Sequence, residues 1–172
     1  MFLNYLKEIT TKKIVTKRLS NVKHATSDNI VKTVGIIFDE TYFYEKEALV
    51  AELIQNGIKE EDIKFIVYKN KVKKNESFDY PVFSQKSLSW KGTLDEKGLN
   101  DFVNESFDLL ISYYDEEKAA LLLTTHLSKA SFKVGFASVD KRLNHFIINT
   151  NAENYKVFIE ELFKYLKILN KL

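Results

Sequence analysis

The apolar positions of the chain follow two rhythms, and its elements change where one rhythm gives way to the other. Short uninterrupted runs at 33–39, 63–68, 107–113, 132–136 and 145–149 read as strands. The run at 33–39 is apolar on both faces, which suits the centre of a sheet covered on both sides. Between these runs the period lengthens to that of a helix. Leu49, Val50, Leu53 and Ile54 form one stripe within 42–56, stopped by Asn56-Gly57. Leu99, Phe102 and Val103 form a shorter one within 93–104. Asp115-Glu116-Glu117 opens a helix that continues through Ala119-Ala120-Leu121-Leu122-Leu123. Over 154–172, Tyr155, Phe158, Ile159, Leu162, Phe163, Leu166 and Leu169 recur at helical spacing.

The strand, helix and strand at 107–136 form a βαβ unit, and a helical crossover of that length joins parallel neighbours. The expected fold class is therefore α/β: a single Rossmann-like, mostly parallel open sheet with flanking helices. Pro81, the only proline, favours an edge strand or a strand start near 80–83. The lysine-rich segment 69–76 reads as a polar connection, and 88–92 as irregular. Ahead of the sheet, 2–23 reads as a helix with two stripes, Phe2, Tyr5, Leu6 and Ile9, then Val15, Leu19 and Val22. The stripes are offset by roughly a third of a turn, so this helix either bends near Thr10-Thr11 or meets two surfaces. The polar stretch 24–31 reads as a linker, dividing the chain into a basic N-terminal helix (1–23), that linker and an α/β domain (32–172).

Composition adds that 172 residues, 45% of them hydrophobic with 13 Phe and 9 Tyr, suffice for one self-sufficient core and leave no room for a second catalytic domain. The absence of cysteine excludes disulfides and thiolate metal sites. With no secretory leader pattern at the start and no long apolar run, a cytoplasmic protein is expected. The net charge is only +2, yet residues 1–23 set Lys7, Lys12, Lys13, Lys17, Arg18 and Lys23 against Glu8 alone; that segment carries +5 and the remainder −3.

In open α/β sheets ligands bind beyond the carboxyl ends of the strands. Asp39, Glu40 and Thr41, Lys69, and Tyr113, Tyr114 and Asp115 are expected at that rim. Asp39 and Asp115 suit a carboxylate pair for acid/base work or Mg²⁺. The reading ranked ahead of that pair is that Asp115 caps a helix, with Glu116 and Glu117 at its positive end, and that Asp39 terminates its own loop. The five glycines are dispersed, so no phosphate loop or dinucleotide fingerprint can be written, and no nucleotide cofactor is expected. His24, His126 and His145 lack metal-ligand spacing, Ser112, Ser128 and Ser131 lack a nucleophile elbow, and neither metal nor catalytic residues are assigned.

Asp108-Leu109-Leu110-Ile111, Ala119-Ala120-Leu121-Leu122 and Lys133-Val134-Gly135-Phe136 together resemble the N-terminal half of bacterial heptosyltransferases, proteins of glycosyltransferase-B architecture. The likeness spans 107–136 and, more loosely, 33–150. The whole chain is also similar to an uncharacterised family of small flavobacterial-type proteins, which implies no activity. Where the glycosyltransferases carry small or glycine neighbours after the first strand, this chain has Asp39-Glu40-Thr41-Tyr42, and Ser112 replaces a second acid. In that architecture the nucleotide-sugar donor sits mainly on a second Rossmann-like domain. The resemblance therefore implies a shared fold rather than a shared reaction.

These features favour a non-catalytic binding module, a subunit of a larger protein or ribonucleoprotein assembly that Lys7, Lys12, Lys13, Lys17, Arg18 and Lys23 contact, with the ribosome or another RNA-containing complex first. A membrane surface ranks behind it. The alternatives are a nucleotide-sugar or small-ligand enzyme using Asp39, Glu40, Thr41 and Asp115, and a homodimer whose N-terminal helix is structural. Arg18 and Arg142 are the only arginines, which speaks against nucleic-acid contact, since arginine is the usual residue for bidentate phosphate or base contacts. Tyr42-Phe43-Tyr44, Tyr113-Tyr114 and Trp90 are candidate interface aromatics.

Overall fold

The computed structural model describes residues 2–20, 29–73, 75–89 and 91–172, with side chains from Tyr5 onward. Val22, Lys23, His24, Trp90 and most of the 24–31 linker lie outside the described residues. Six strands, β1 (Val34–Asp39), β2 (Ile63–Tyr68), β3 (Val82–Phe83), β4 (Leu109–Tyr113), β5 (Phe132–Phe136) and β6 (Phe146–Ile148), form one sheet. The order is β3-β2-β1-β4-β5-β6 and every pairing is parallel. This is the doubly wound order, in which the direction of winding reverses between β1 and β4.

Five helices cover the sheet: α1 (Phe2–Leu19), α2 (Lys46–Gln55), α3 (Lys97–Asn104), α4 (Ala119–Leu127) and α5 (Tyr155–Ile168). The alternation of strand side chains divides the core into two layers. Ile37, Ile66 and Leu110 meet α1, α3 and α4 on one face; Ile36, Phe38, Ile111 and Val134 meet α2 and α5 on the other. β1 is buried throughout, as its two-sided apolar run predicts.

At the amino end of the sheet, Asp108 ties β4 to the start of β1. Its Oδ2 accepts from the backbone N–H groups of Lys32 and Thr33 at 3.0 and 2.9 Å and from the Thr33 hydroxyl at 3.0 Å. Burial opposes this charge, but the donors from Thr33 and Lys32 outweigh it and hold the carboxyl below its ordinary value. Two residues beyond Thr33, Gly35 in β1 leaves room for the Phe107 ring.

Several elements differ from the sequence reading. α2 begins at Lys46 rather than at 42, because the chain turns at 40–42 and buries Phe43 against Phe38 and Tyr113, and α4 begins at Ala119 rather than at Asp115. Asp115 does not cap α4, whose N-cap position is Lys118. Its Oδ2 instead accepts from the Ala152 N–H at 2.8 Å, tying the turn after β4 to the loop after β6. β3 pairs with β2 over only two residues. Pro81 explains this, since it has no N–H to continue the ladder.

The sheet also buries Lys133, whose Nζ donates to the Thr125 carbonyl at 2.7 Å at the C-terminal end of α4. Burial pushes its ammonium down to about 8, against 10.5 for an ordinary lysine. Between those values the unfolded chain holds a proton that the folded chain has shed, so stability should rise with pH across that window. The buried phenols of Tyr68, Tyr113 and Tyr114 are held above their ordinary value of 10.0 by burial. Above that pH the unfolded state ionises first and stability should fall. The expected result is a urea midpoint that climbs between about pH 8 and 10 and then drops, with the climb, but not the drop, absent in Lys133→Met. A wild-type midpoint flat or falling over that range would contradict the assignment.

Candidate functional site

At the switch point the turns after β1 and β4 meet, and the rim residues named from the sequence fall into two groups. Asp39 ends β1, and its Oδ1 accepts from the Thr41 N–H at 3.0 Å in a tight turn. Lys118 donates to Asp39 Oδ2, and to Thr41 Oγ1 at 2.8 Å. Its ammonium also lies 5.4 and 5.3 Å from the ring centres of Tyr42 and Tyr68. Asp115 makes its contacts with Ala152 and, through its carbonyl, with the Ser138 hydroxyl at 2.8 Å, rather than with Asp39.

The second group centres on Glu40, whose side chain is only 7% exposed. Lys46 Nζ sits 2.7 Å from its Oε1, and Lys69 pairs with its Oε2. Burial raises the Glu40 carboxyl, but the ammonium groups of Lys46 and Lys69 outweigh it and hold the group below its ordinary value. Lys46 is raised above the ordinary lysine value despite its burial, because Glu40 and Glu47 accept from it; Lys69 is raised by Glu40. The Tyr80 ring lies 4.7 Å from the Lys46 ammonium. Each carboxylate of the turn after β1 is thus neutralised within the fold.

The sequence reading names Asp39, Glu40, Thr41 and Lys69 here and misses Lys46 and Lys118. A signal was present in their positions. Lys46 is the first residue of α2 and Lys118 the N-cap of α4, places where the helix dipole disfavours a cation. A lysine there is compensated by a carboxylate brought from elsewhere.

α1 makes a second candidate surface. Thr11, Val15 and Leu19, one turn apart in sequence, are buried, and α1 packs on α4. The Arg18 guanidinium donates to the Gly92 carbonyl at 3.2 Å, and a Cβ at Gly92 would meet Ile14 Cγ2 at 3.2 Å, so the 91–93 loop closes over the helix. At 100° per residue, Lys13 and Lys17 lie opposite Val15, and both are exposed. Lys7 and Lys12 flank them half-buried, while Lys86 and Lys91, from the segment packed beside α1, are exposed. The 18 residues of α1 span about 27 Å and the nine of α4 about 13 Å. Tyr5 and Leu6, near the start of α1, are 62% and 36% exposed, whereas Lys7, Glu8 and Ile9 are half-buried and the Glu8 carboxylate lies close enough to bear on the Tyr68 phenol.

Among the described residues no cluster of His, Asp and Glu is arranged to hold a metal ion, and no helix is long and apolar enough to cross a membrane. Residues 7–169 match DUF6913, a family of unknown function. The chain belongs to that family. No curated protein and no solved structure matches this DUF6913 member, so the heptosyltransferase likeness of residues 107–136 has no counterpart among the matches.

Proposed function

We propose that this DUF6913 member is a non-catalytic binding module that presents α1 to a polyanionic partner, with the ribosome or another RNA-containing assembly as the partner class. The observation that carries this reading is the docking of α1 through Thr11, Val15 and Leu19, which leaves Lys13 and Lys17 exposed on its opposite side, with Lys86 and Lys91 exposed on the segment that packs against it. A rigid array of ammonium groups neutralises phosphates without reading sequence. Lysine serves here as a point charge, in keeping with the near absence of arginine. The exposed Tyr5 and Leu6 give the same helix an apolar patch for a protein component of the assembly.

The alternative, a nucleotide-sugar enzyme built on half of a glycosyltransferase-B architecture, needs Asp39, Glu40, Thr41 or Asp115 available to a ligand. Against it, Lys118, Lys46 and Lys69 occupy the first two carboxylates and the Ala152 N–H engages Asp115.

The test is sedimentation of native lysate at low salt. The full-length chain should travel with the ribosomal or another large ribonucleoprotein fraction, and Lys13→Glu/Lys17→Glu should remain in the light fraction while unfolding at the wild-type midpoint. Equal sedimentation of the two proteins, or self-association of the purified chain through α1, would overturn the reading.

A further inference from the structure

The doubly wound sheet ends at β3, which covers only the last part of β2. In a parallel strand, alternate residues direct both backbone groups to one neighbour and the residues between them to the other. Tyr68 gives its carbonyl to the Glu40 N–H on the β1 side at 3.0 Å, whereas Val67 gives its N–H to the Pro81 carbonyl on the β3 side at 3.0 Å. By that alternation Ile63 and Phe65 also face the β3 side. The Ile63 N–H is taken by the Glu60 carbonyl. The ladder cannot reach Phe65 because the residue due to donate to its carbonyl is Pro81. Among the described residues, the Ile63 carbonyl and both backbone groups of Phe65 have no backbone partner and lie at the open edge.

Beside that edge lies a cavity of about 390 Å³ between β2, α3 and the residues leading into β3. Phe65, Tyr80 and Phe102 give it an apolar wall. Its charged lining consists of Asp79, Asp101 and Glu105 against Lys64, and Lys64 is already bound to Glu105 at 2.7 Å. The unmatched charge is that of Asp79 and Asp101.

We propose that this edge is a docking groove for an extended, lysine-bearing segment of a protein partner, which adds a short strand to β2 in the lane that β3 leaves empty. Backbone groups of Ile63 and Phe65 supply affinity and register, and the carboxylates of Asp79 and Asp101 select basic side chains at alternate positions. The groove is acidic and so excludes the nucleic acid assigned to α1.

The test uses the full-length chain and a labelled peptide of alternating lysine and valine, followed by fluorescence anisotropy. Binding should saturate, fall at least about tenfold in Asp79→Lys/Asp101→Lys, whose substituted positions are exposed, and be lost when the strand-facing amides of the peptide are N-methylated. Lys13→Glu/Lys17→Glu should bind the peptide like wild type, which separates this groove from α1. Equal binding of the N-methylated peptide, equal binding of its glutamate counterpart, or no binding of the lysine peptide would each overturn the proposal.

Discussion

Replacing Glu40 by leucine is expected to cost about 3–4 kcal/mol of folding stability, because it strands the Lys46 ammonium in the fold. The Lys46 side chain is 8% exposed, and after the substitution its nearest carboxylate is Glu47, 3.1 Å away and itself 75% exposed. That remaining contact keeps the cost toward the lower part of the range for breaking a buried pair. Lys46→Met should cost less, since Lys69 still holds the Glu40 carboxylate. The double substitution Glu40→Leu/Lys46→Met should recover most of the loss, leaving only Lys69, which at 24% exposure can turn to water. Urea unfolding of the three variants gives the coupling directly. A loss below about 1 kcal/mol for Glu40→Leu would mean that the cluster is solvated as an ordinary surface pair. The double variant also separates two functional readings. If it folds and still sediments with the large complex, the rim is structural; if it folds and no longer does, the partner binds at the rim.

Gly35→Ala should be comparably damaging, at about 3 kcal/mol. An added Cβ would lie 2.6 and 2.7 Å from two ring carbons of Phe107, closer than carbon atoms approach one another. Neither side can give way easily. β1 is held by β2 on one side and β4 on the other, and the Phe107 ring is buried against Phe102 at a centroid distance of 5.0 Å. Phe107→Leu should therefore rescue Gly35→Ala in part, with a coupling of about 1 kcal/mol or more in the double-mutant cycle. Gly135→Ala is the informative control. There the neighbour is the terminal amide of the buried Asn144 side chain, which has no hydrogen-bond partner among the described residues to hold it in place. A Gly35→Ala variant no less stable than Gly135→Ala would contradict the packing described for the centre of the sheet.

Where an element is decided by its own residues, the sequence reveals it. β2 and β5 coincide with the apolar runs at 63–68 and 132–136, and β1 shows the two-sided burial that its composition demands. What depends on distant residues stays hidden. Strand order leaves no mark on periodicity, since β1 contacts β4 across 75 residues of chain, as in the Thr33–Asp108 bonds. The two stripes of α1 look equivalent in sequence, but Val15 and Leu19 are buried, whereas in the first stripe Tyr5 and Leu6 are exposed and Ile9 is half-buried. Asp115 has the composition of a helix cap and serves another loop because α4 starts four residues beyond it. At the rim, the carboxylates are evident at the end of β1, whereas their lysine partners come from α2, from the turn after β2 and from the start of α4. The sequence suggests Asp39 and Asp115 as an acid/base pair; in the fold Asp39 and Glu40 pair with three lysines and Asp115 accepts from the Ala152 N–H.

The measurement that bears most directly on the account is the salt dependence of sedimentation with the ribonucleoprotein fraction, for the wild type and for Lys13→Glu/Lys17→Glu. Each lysine that neutralises a phosphate contributes roughly 0.7–0.9 to the slope of log affinity against log salt. The account predicts a steep wild-type slope that becomes shallower by roughly 1.5 or more in the variant, together with a loss of affinity at low salt. A slope identical in the two proteins, or an association indifferent to salt, would show that α1 is not the binding surface.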